Sequence, residues 1–133
     1  MPFRAADTLW KLLWDYDPNG LVVVDQTMRI RLVNPAFCDM FKQTEADLLD
    51  RDIAAVLGDA NDLQTAWREN KVVKCPETEY PQYHLYARRV IFPIKNEGFV
   101  ACIIVDLTHE WQQQNDMLRI QRETLEQVNQ VVN

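Results

Sequence analysis

Residues 89–108 constrain the fold of this chain more than any other stretch, because they hold two apolar, β-branched runs around a tight turn. Asn-Glu-Gly at residues 96–98 separates the runs, and glycine supplies the positive φ that a short hairpin loop needs. After Val105 the pattern changes period, since Thr108 is a suitable helix N-cap and residues 110–133 contain no proline or glycine. The sequence therefore predicts two adjacent antiparallel strands that lead directly into one long helix.

The long helix contains a seven-residue repeat, with Gln114, Gln121 and Val128 at the intermediate positions. Such a repeat is typical of one seam of a coiled coil, and polar seam residues lower its stability and allow alternative registers. A single amphipathic helix folded back on its own domain is the alternative interpretation. The coiled-coil interpretation predicts a dimer interface at Trp111, Leu118, Leu125 and Val132.

The composition favours one small domain with an appendage, since 133 residues with 47% hydrophobic content suit a single core. A net charge of −6, with 14 basic residues spread along the chain, argues against nucleic-acid binding. No apolar run approaches the roughly 18 residues that cross a bilayer, so no membrane segment is expected. An odd number of distant cysteines favours a reducing, cytoplasmic location over a disulfide framework or a metal motif. These cysteines are Cys38, Cys75 and Cys102.

The sequence lacks the usual motifs of catalytic residues. Its three glycines stand at isolated turns, which leaves no phosphate-binding loop. It has no serine, and His84 and His109 lie in different predicted elements without a neighbouring nucleophile pattern. We therefore expect a non-catalytic segment without metal ligands, and any effector enzyme, such as a kinase, would belong to another part of a longer protein.

An ordered set of segments resembles the PAS domain family over about residues 17–108. The resemblance implies an α+β fold with a five-stranded antiparallel sheet and short helices on one face. It also implies a flanking N-terminal helix at 1–16 and a coiled-coil-like signalling helix at 109–133. The matching segments are Asn19 to Asp25, Ile30 to Phe41, Glu45 to Leu49, the turn at 93–98, and Asp-Leu-Thr at 106–108.

An N-terminal helix is predicted from the apolar stripe in residues 7–16, which includes Leu9 and Leu13. In PAS domains such a helix often lies across the outer face of the sheet or pairs with a second copy, and both interpretations stay open here. The dimer interpretation adds Trp10 and Trp14 to the interface, because two tryptophans supply a large buried area.

The longest predicted strand runs over residues 82–94, and neither of its faces is cleanly polar. The sequence therefore does not decide which alternate set of side chains faces the core. Residues 75–81 contain two prolines, so we expect them to form an irregular edge or loop.

The resemblance to PAS domains also implies a ligand pocket between the sheet and the short helices, where haem, flavin or a small metabolite binds in many members. The helix at 61–70 lacks the usual haem-ligating histidine and the Asn-Cys-Arg motif of photoactive flavin domains. Four possibilities therefore remain open for the pocket: no cofactor, flavin, haem or a small metabolite. The alternative interpretation is that these side chains have only a structural role, in the core or on the sheet. The candidate pocket residues are Phe37, Phe41, Trp67, His84, Tyr86, Cys102 and Ile104.

The resemblance implies a homodimeric sensory module of a larger cytoplasmic signal-transduction protein, such as one of two-component regulation. Asp106 and Thr108 would transmit a small-molecule or redox signal to the C-terminal helix and a downstream effector. A ligand-free protein–protein interaction module is one alternative. The other is a regulatory domain of a redox protein, because residues 122–132 faintly resemble helices that follow PAS domains in clostridial proteins associated with iron-only hydrogenases and iron–sulfur modules.

Overall fold

A computed structural model describes the backbone of residues 2–132 and the side chains of residues 7–128. Six helices surround or extend from one sheet. They are α1 (Pro2–Tyr16), α2 (Pro35–Phe41), α3 (Glu45–Leu48), α4 (Ile53–Leu57), α5 (Asn61–Glu69) and α6 (Thr108–Val132). The six strands are β1 (Gly20–Asp25), β2 (Ile30–Val33), β3 (Val73–Lys74), β4 (Thr78–Tyr80), β5 (Leu85–Ile94) and β6 (Phe99–Asp106).

The sheet is antiparallel throughout, with the order β2-β1-β6-β5-β3 and with β4 also paired to β5. The predicted hairpin is confirmed: β5 pairs with β6 from Ala87 opposite Asp106 to Ile94 opposite Phe99. Gly98 closes the turn at a φ of 77°, a left-handed conformation that glycine adopts without a steric cost. The α+β class expected from the sequence is therefore correct.

The strand count is six rather than the predicted five, because residues 78–80 pair with β5. Pro76 and Pro81 flank this short strand, so neither proline interrupts its hydrogen bonds. The predicted long strand also begins later than residue 82. A turn at Pro81–Tyr83 precedes it, and His84 leaves that turn at a φ of 51°.

The core lies between one face of the sheet and helices α2 to α5. On β5, Leu85, Ala87 and Ile91 are buried, and on β6 the buried residues are Val100, Cys102 and Ile104. Side chains alternate between the two faces of a strand, so this parity settles which face of β5 points inward. The opposite face of the central strands is half-buried rather than polar.

Asn34 connects α1, β1 and α2 through a fully buried amide side chain. Its Oδ1 accepts hydrogen bonds from the backbone amides of Leu21, at 2.8 Å, and Phe37, at 3.0 Å. Its Nδ2 donates to the backbone oxygens of Asn19, at 2.9 Å, and Trp14, at 3.1 Å. Asn34 thus caps α2 and holds the end of α1 against the start of the sheet.

Replacing Asn34 by alanine is expected to lower the free energy of unfolding by about 2–4 kcal/mol, since the helix loses its cap and buried backbone groups lose their partners. Asn34→Asp retains the acceptor oxygen, but it turns a second oxygen toward the Asn19 and Trp14 carbonyls and buries a charge without a cation partner, so it should cost at least as much. Urea denaturation followed by circular dichroism measures both, with Asn61→Ala as the exposed-asparagine control. A loss of less than about 0.5 kcal/mol for Asn34→Ala, within the range of ordinary surface substitutions, would contradict this role.

Candidate functional site

Aromatic rings fill the α2 end of the core. Phe37 and Phe41 are fully buried, with ring centroids 4.6 Å apart. The Phe41 ring also meets the edges of Tyr80, at 5.8 Å between centroids, and Tyr83, at 5.0 Å. Burying each phenylalanine contributes about 1.5–3 kcal/mol, so these two predicted pocket residues also hold the core together.

Two further predicted pocket residues, Cys102 and Ile104, lie on the core face of β6 and are buried. Burial raises the pKa of the Cys102 thiol to about 12. The group is therefore a neutral thiol at physiological pH, which favours the role of a small apolar core residue over that of a reactive thiolate.

The structure does not place His84, Tyr86 and Trp67 together in an inner pocket. His84 is exposed, and Tyr86 lies on the face of β5 opposite to the core because side chains alternate along the strand. Trp67 is half-buried at the margin of α5, with Lys95 Nζ 3.8 Å from its ring centroid and hydrogen-bonded to its carbonyl oxygen at 2.6 Å. The positions of His84 and Tyr86 correct their assignment to an inner pocket, whereas Trp67 packs against the margin of the core and its assignment stays a prediction.

A charged group that sequence reasoning missed lies between β5 and α5. Arg89 Nε contacts Asp62 Oδ2 at 2.6 Å, and the two side chains are only 13% and 17% exposed. Arg89 Nη2 donates to the carbonyl oxygen of Asp59 at 2.8 Å. The Cys75 thiol donates to the same Asp62 oxygen at 2.9 Å. We call Arg89, Asp62 and Cys75 the core ion-pair cluster.

The signal for this cluster was present in the strand pattern. Arg89 occupies the same face of β5 as Leu85, Ala87 and Ile91, which are all buried. A cation at an otherwise apolar, inward position requires a buried partner, because an isolated buried charge is too costly. The identity of that partner, Asp62, depends on where α5 docks and is not readable from local pattern.

The output end of the sheet is joined to α6 by three short hydrogen bonds. The Leu107 amide donates to the Tyr86 carbonyl oxygen at 2.7 Å, and the Tyr86 amide donates to Thr108 Oγ1 at 2.9 Å. The Thr108 amide donates to Asp106 Oδ1 at 2.9 Å. Thr108 was expected to cap the helix, but its hydroxyl binds β5 instead and Asp106 accepts the first helical amide.

Side chains reinforce this joint. The Tyr86 and Trp111 rings stack with centroids 5.0 Å apart, and Tyr86 OH donates to Glu77 Oε2 at 2.9 Å. A groove of about 270 Å³ lies beside the stack, so His84 and Tyr86 share a surface groove rather than an inner pocket. Its lining includes Glu79, His84, Tyr86, Thr108, Trp111 and Gln112.

The predicted interface residues fall into two groups. Trp10 is 70% exposed, and on α6 Leu118 and Leu125 are 58% and 65% exposed. Two other residues make contacts within the chain: Trp14 Nε1 donates to the Val33 carbonyl oxygen at 3.2 Å, and Trp111 stacks on Tyr86. Trp14 and Trp111 are therefore half-buried within their own chain, and their assignment to a dimer interface stays a prediction. The side chain of Val132 lies outside the described residues.

Within residues 2–132, the structure has no helix that combines the length and apolarity required to span a bilayer. Over the same part of the chain, His, Cys, Asp and Glu side chains do not form a group of three or more that is placed to hold a metal ion.

Residues 14–110 match the family model for the PAS fold, and the chain belongs to that family. No curated protein matched the sequence. Among solved structures, the PAS domain of an HTR-like protein from Haloarcula marismortui is similar at 20% identity and a TM-score of 0.58, over 77% of this chain and 98% of that chain.

Two other solved structures share the fold. The PAS domain of nitrogen regulation protein NR(II) from Vibrio parahaemolyticus is 14% identical, with a TM-score of 0.62, over 74% of this chain and 97% of that one. The PAS domain of Bordetella pertussis BvgS is 17% identical, also with a TM-score of 0.62, over 92% of this chain and 98% of that one. At these identities the likeness establishes the fold, and the family predicted from the sequence is confirmed.

The core ion-pair cluster predicts a pH signature for Cys75. Burial and, after it, the hydrogen bond to Asp62 raise the pKa of its thiol to about 11. At pH 8 only about one molecule in a thousand would carry the thiolate. Asp62→Asn removes the negative charge and is expected to lower the pKa, which raises the thiolate fraction and gives several-fold faster alkylation at pH 8 even though a less basic thiolate is a weaker nucleophile.

Iodoacetamide labelling from pH 7 to 11, with mass spectrometry of the peptide that contains Cys75, measures this shift. Asp59→Asn is the matched control, because the carboxylate of Asp59 accepts from the Asn61 amide and does not contact the thiol. Circular dichroism of Asp62→Asn under the same conditions separates a pKa change from unfolding, since an unfolded chain would also return the thiol to a pKa of about 8.5. An unchanged midpoint of the rate against pH in Asp62→Asn would show that the carboxylate does not control Cys75.

Proposed function

We propose that this chain is the sensory and dimerisation module of a larger cytoplasmic signal-transduction protein. The observation that carries the proposal is the hydrogen-bonded joint at Tyr86, Leu107 and Thr108. In the proposal, a small-molecule or redox signal in the core changes the paired strands, and the change passes to α6 and a downstream effector. The effector, for example a kinase, belongs to another part of the protein.

The proposal is supported by how short the path is from core to helix. Arg89 pairs with Ile104 across β5 and β6, and both residues are inward positions. Three residues before Arg89 on β5, Tyr86 binds the start of α6 through both its backbone amide and its carbonyl. Strands joined by a continuous ladder move together, so a change in twist at Ile104 reaches Leu107 without crossing a flexible linker.

A signal acts only if it binds two arrangements of this joint with different affinity. At this joint the Thr108 hydroxyl accepts from the Tyr86 amide at 2.9 Å and also donates to the Tyr86 carbonyl oxygen at 3.5 Å. The donated bond is long and therefore weak, so we infer that it is the contact a shift of the strand would change first. We infer that Asp106 and Thr108 transmit the signal, as the resemblance to the family implies.

Homodimerisation is supported by apolar side chains that the single chain leaves exposed. Leu118, Leu125 and Val128 follow the predicted heptad seam on α6, and none of them is covered by its own domain. On α1, Trp10 and Leu13 are also exposed. Exposed apolar side chains that share one face of a helix are typical of an interface, so we infer that two copies pair through α6 and α1.

A ligand-free interaction module is the second candidate function. It is favoured by the packing of Phe37 and Phe41, which occupy the α2 end of the core with rings rather than leaving room for a large cofactor. A redox regulatory role has less support, because the thiols of Cys75 and Cys102 have raised pKa values and are therefore poor nucleophiles.

The seam of α6 is tested by replacing Gln114 and Gln121 with leucine. If these residues lie at the interface, the double variant removes polar groups from it and should lower the dimer dissociation constant by at least about tenfold. Sedimentation equilibrium over a range of concentrations measures the constant.

The matched control replaces Gln113 and Gln127, two exposed glutamines on a neighbouring face of the same helix, with leucine. This control should leave the dimer affinity close to that of the original chain. Equal strengthening in both double variants would mean that added hydrophobicity, and not the predicted seam, controls association. No strengthening in either would remove α6 as the dimer interface.

A further inference from the structure

The groove beside the Tyr86 and Trp111 rings offers space for a small molecule at the surface. It has a volume of about 270 Å³ and lies between the β4–β5 pair and the first turn of α6. Small-molecule sites in proteins usually measure about 300–1,000 Å³, so this space suits a ligand of only a few heavy atoms. We call it the joint groove. A molecule bound there contacts both the sheet and the helix that leaves it.

Two carboxylates give the joint groove a negative potential. Glu79 lines it and stands opposite Tyr86 in the β4–β5 register, and Glu77 Oε2 accepts from the Tyr86 hydroxyl at 2.9 Å. The hydrogen bond to Glu77, together with desolvation and the charges of both glutamates, raises the pKa of the Tyr86 hydroxyl. Among residues 7–128, neither glutamate forms an ion pair with a cationic side chain. The groove therefore has negative charge that the described side chains do not compensate.

The start of α6 lies at the same groove and by itself would favour an anion, because a helix N-terminus carries a partial positive charge. Asp106 offsets that charge, since its Oδ1 accepts from the Thr108 amide at 2.9 Å, and Glu110 adds a carboxylate in the first turn. His84 also lines the groove, whereas the exposed Arg88 lies outside the lining. Carboxylates therefore dominate the charge around the groove, and a cation fits it better than an anion.

The aromatic lining decides which kind of cation fits. The face of a tryptophan or tyrosine ring attracts a cation within about 6 Å of its centroid, and quaternary ammonium groups are recognised by such surfaces. This chain already makes one contact of that kind, with Lys95 Nζ 3.8 Å from the centroid of the Trp67 ring. A metal ion instead needs several oxygen ligands, and the described residues hold no group of three or more His, Cys, Asp or Glu placed to bind one. An organic cation is therefore the better match.

We propose that the joint groove binds a small organic cation with a quaternary ammonium group, which lies between Glu79 and the rings of Tyr86 and Trp111. This site is separate from the core, and its occupation does not depend on a signal there. The inference goes beyond the proposed function, because it places a ligand at the joint itself. The occupant contacts β4, β5 and α6 together, so its binding stabilises the arrangement in which α6 is docked on the sheet.

Tetramethylammonium and tert-butanol test the proposal, because the two molecules have a similar tetrahedral shape and size and differ in charge. Each is titrated into the 15N-labelled full chain at constant ionic strength, and the backbone amide and tryptophan indole N–H signals are followed by NMR. Tetramethylammonium should give saturable shifts at residues 84–86 and 108–112, including the Trp111 indole, with an affinity at least about fivefold higher than that of tert-butanol. No saturable shift with tetramethylammonium, or equal affinity of the two molecules, would overturn the proposal.

Two glutamates provide matched variants. Glu79→Gln removes the carboxylate that lines the groove and should weaken tetramethylammonium binding about threefold, as the loss of an exposed charge pair does. Glu97→Gln makes the same change in the turn between β5 and β6, at the opposite end of the strand pair, and should leave the affinity unchanged. Equal weakening in both variants would show that the net charge of the chain attracts the cation. That result, or no weakening in Glu79→Gln, would contradict the site.

The contribution of the aromatic surface is tested with Trp111→Leu, and Trp111→Phe is the conservative variant. Leucine should weaken tetramethylammonium binding about threefold, whereas phenylalanine keeps an aromatic face and should retain most of the affinity. Circular dichroism checks that both variants are folded. An affinity of Trp111→Leu equal to that of the original chain would contradict the proposed contact with the rings.

Discussion

The antiparallel pairing of β5 with β6 is the interaction on which the rest of the structure depends. Its ladder runs from Ala87 opposite Asp106 to Ile94 opposite Phe99. The ladder supplies the central part of the inner face, and β1 and β4 pair with its two outer edges. Its last rung leads directly into α6, so the geometry of the sheet core and the direction of the helix share one set of hydrogen bonds.

The register of this ladder is fixed by the apolar pattern of β5. Arg88 and Arg89 are neighbours, and only Arg89 points inward, where it pairs with Asp62. A slip of one residue would move Ile91 to the outer face, although in one direction it would still place an arginine, Arg88, opposite Asp62. The buried side chains of Leu85, Ala87 and Ile91 therefore specify the register, and the ion pair adds to the stability of the strand in that position.

Much of the fold followed from local sequence features. Gly98 and the change of period after Val105 were enough to predict the hairpin and the long helix. The sixth strand escaped prediction, because Thr78–Tyr80 is only three residues long and lies between two prolines. A local sequence pattern cannot predict so short a strand, because the segment is extended only by its pairing with β5.

The site was less predictable than the fold, for two physical reasons. Both faces of β5 are rich in apolar residues, so the sequence did not show which alternate set of side chains faces the core. Tyr86 was therefore assigned to the core face, although it lies on the opposite one. The contacts of Trp14 with Val33 and of Trp111 with Tyr86 join residues that local pattern cannot relate. The strand pattern of β5 shows Arg89 as a charged residue among inward-facing apolar positions. Its partner, Asp62, cannot be predicted locally, because the contact depends on how α5 packs on the sheet.

The most direct measurement is hydrogen exchange of the Leu107 amide in two conservative variants of β6. Ile104→Val alters the inner face opposite Arg89, and Ile103→Val makes the same change on the outer face of the same strand. The account predicts that Ile104→Val changes exchange at residues 107–111 several-fold, while Ile103→Val leaves those residues close to their original rates. Exchange that changes only beside each substitution, with Leu107 unaffected by Ile104→Val, would contradict transmission from the core to α6.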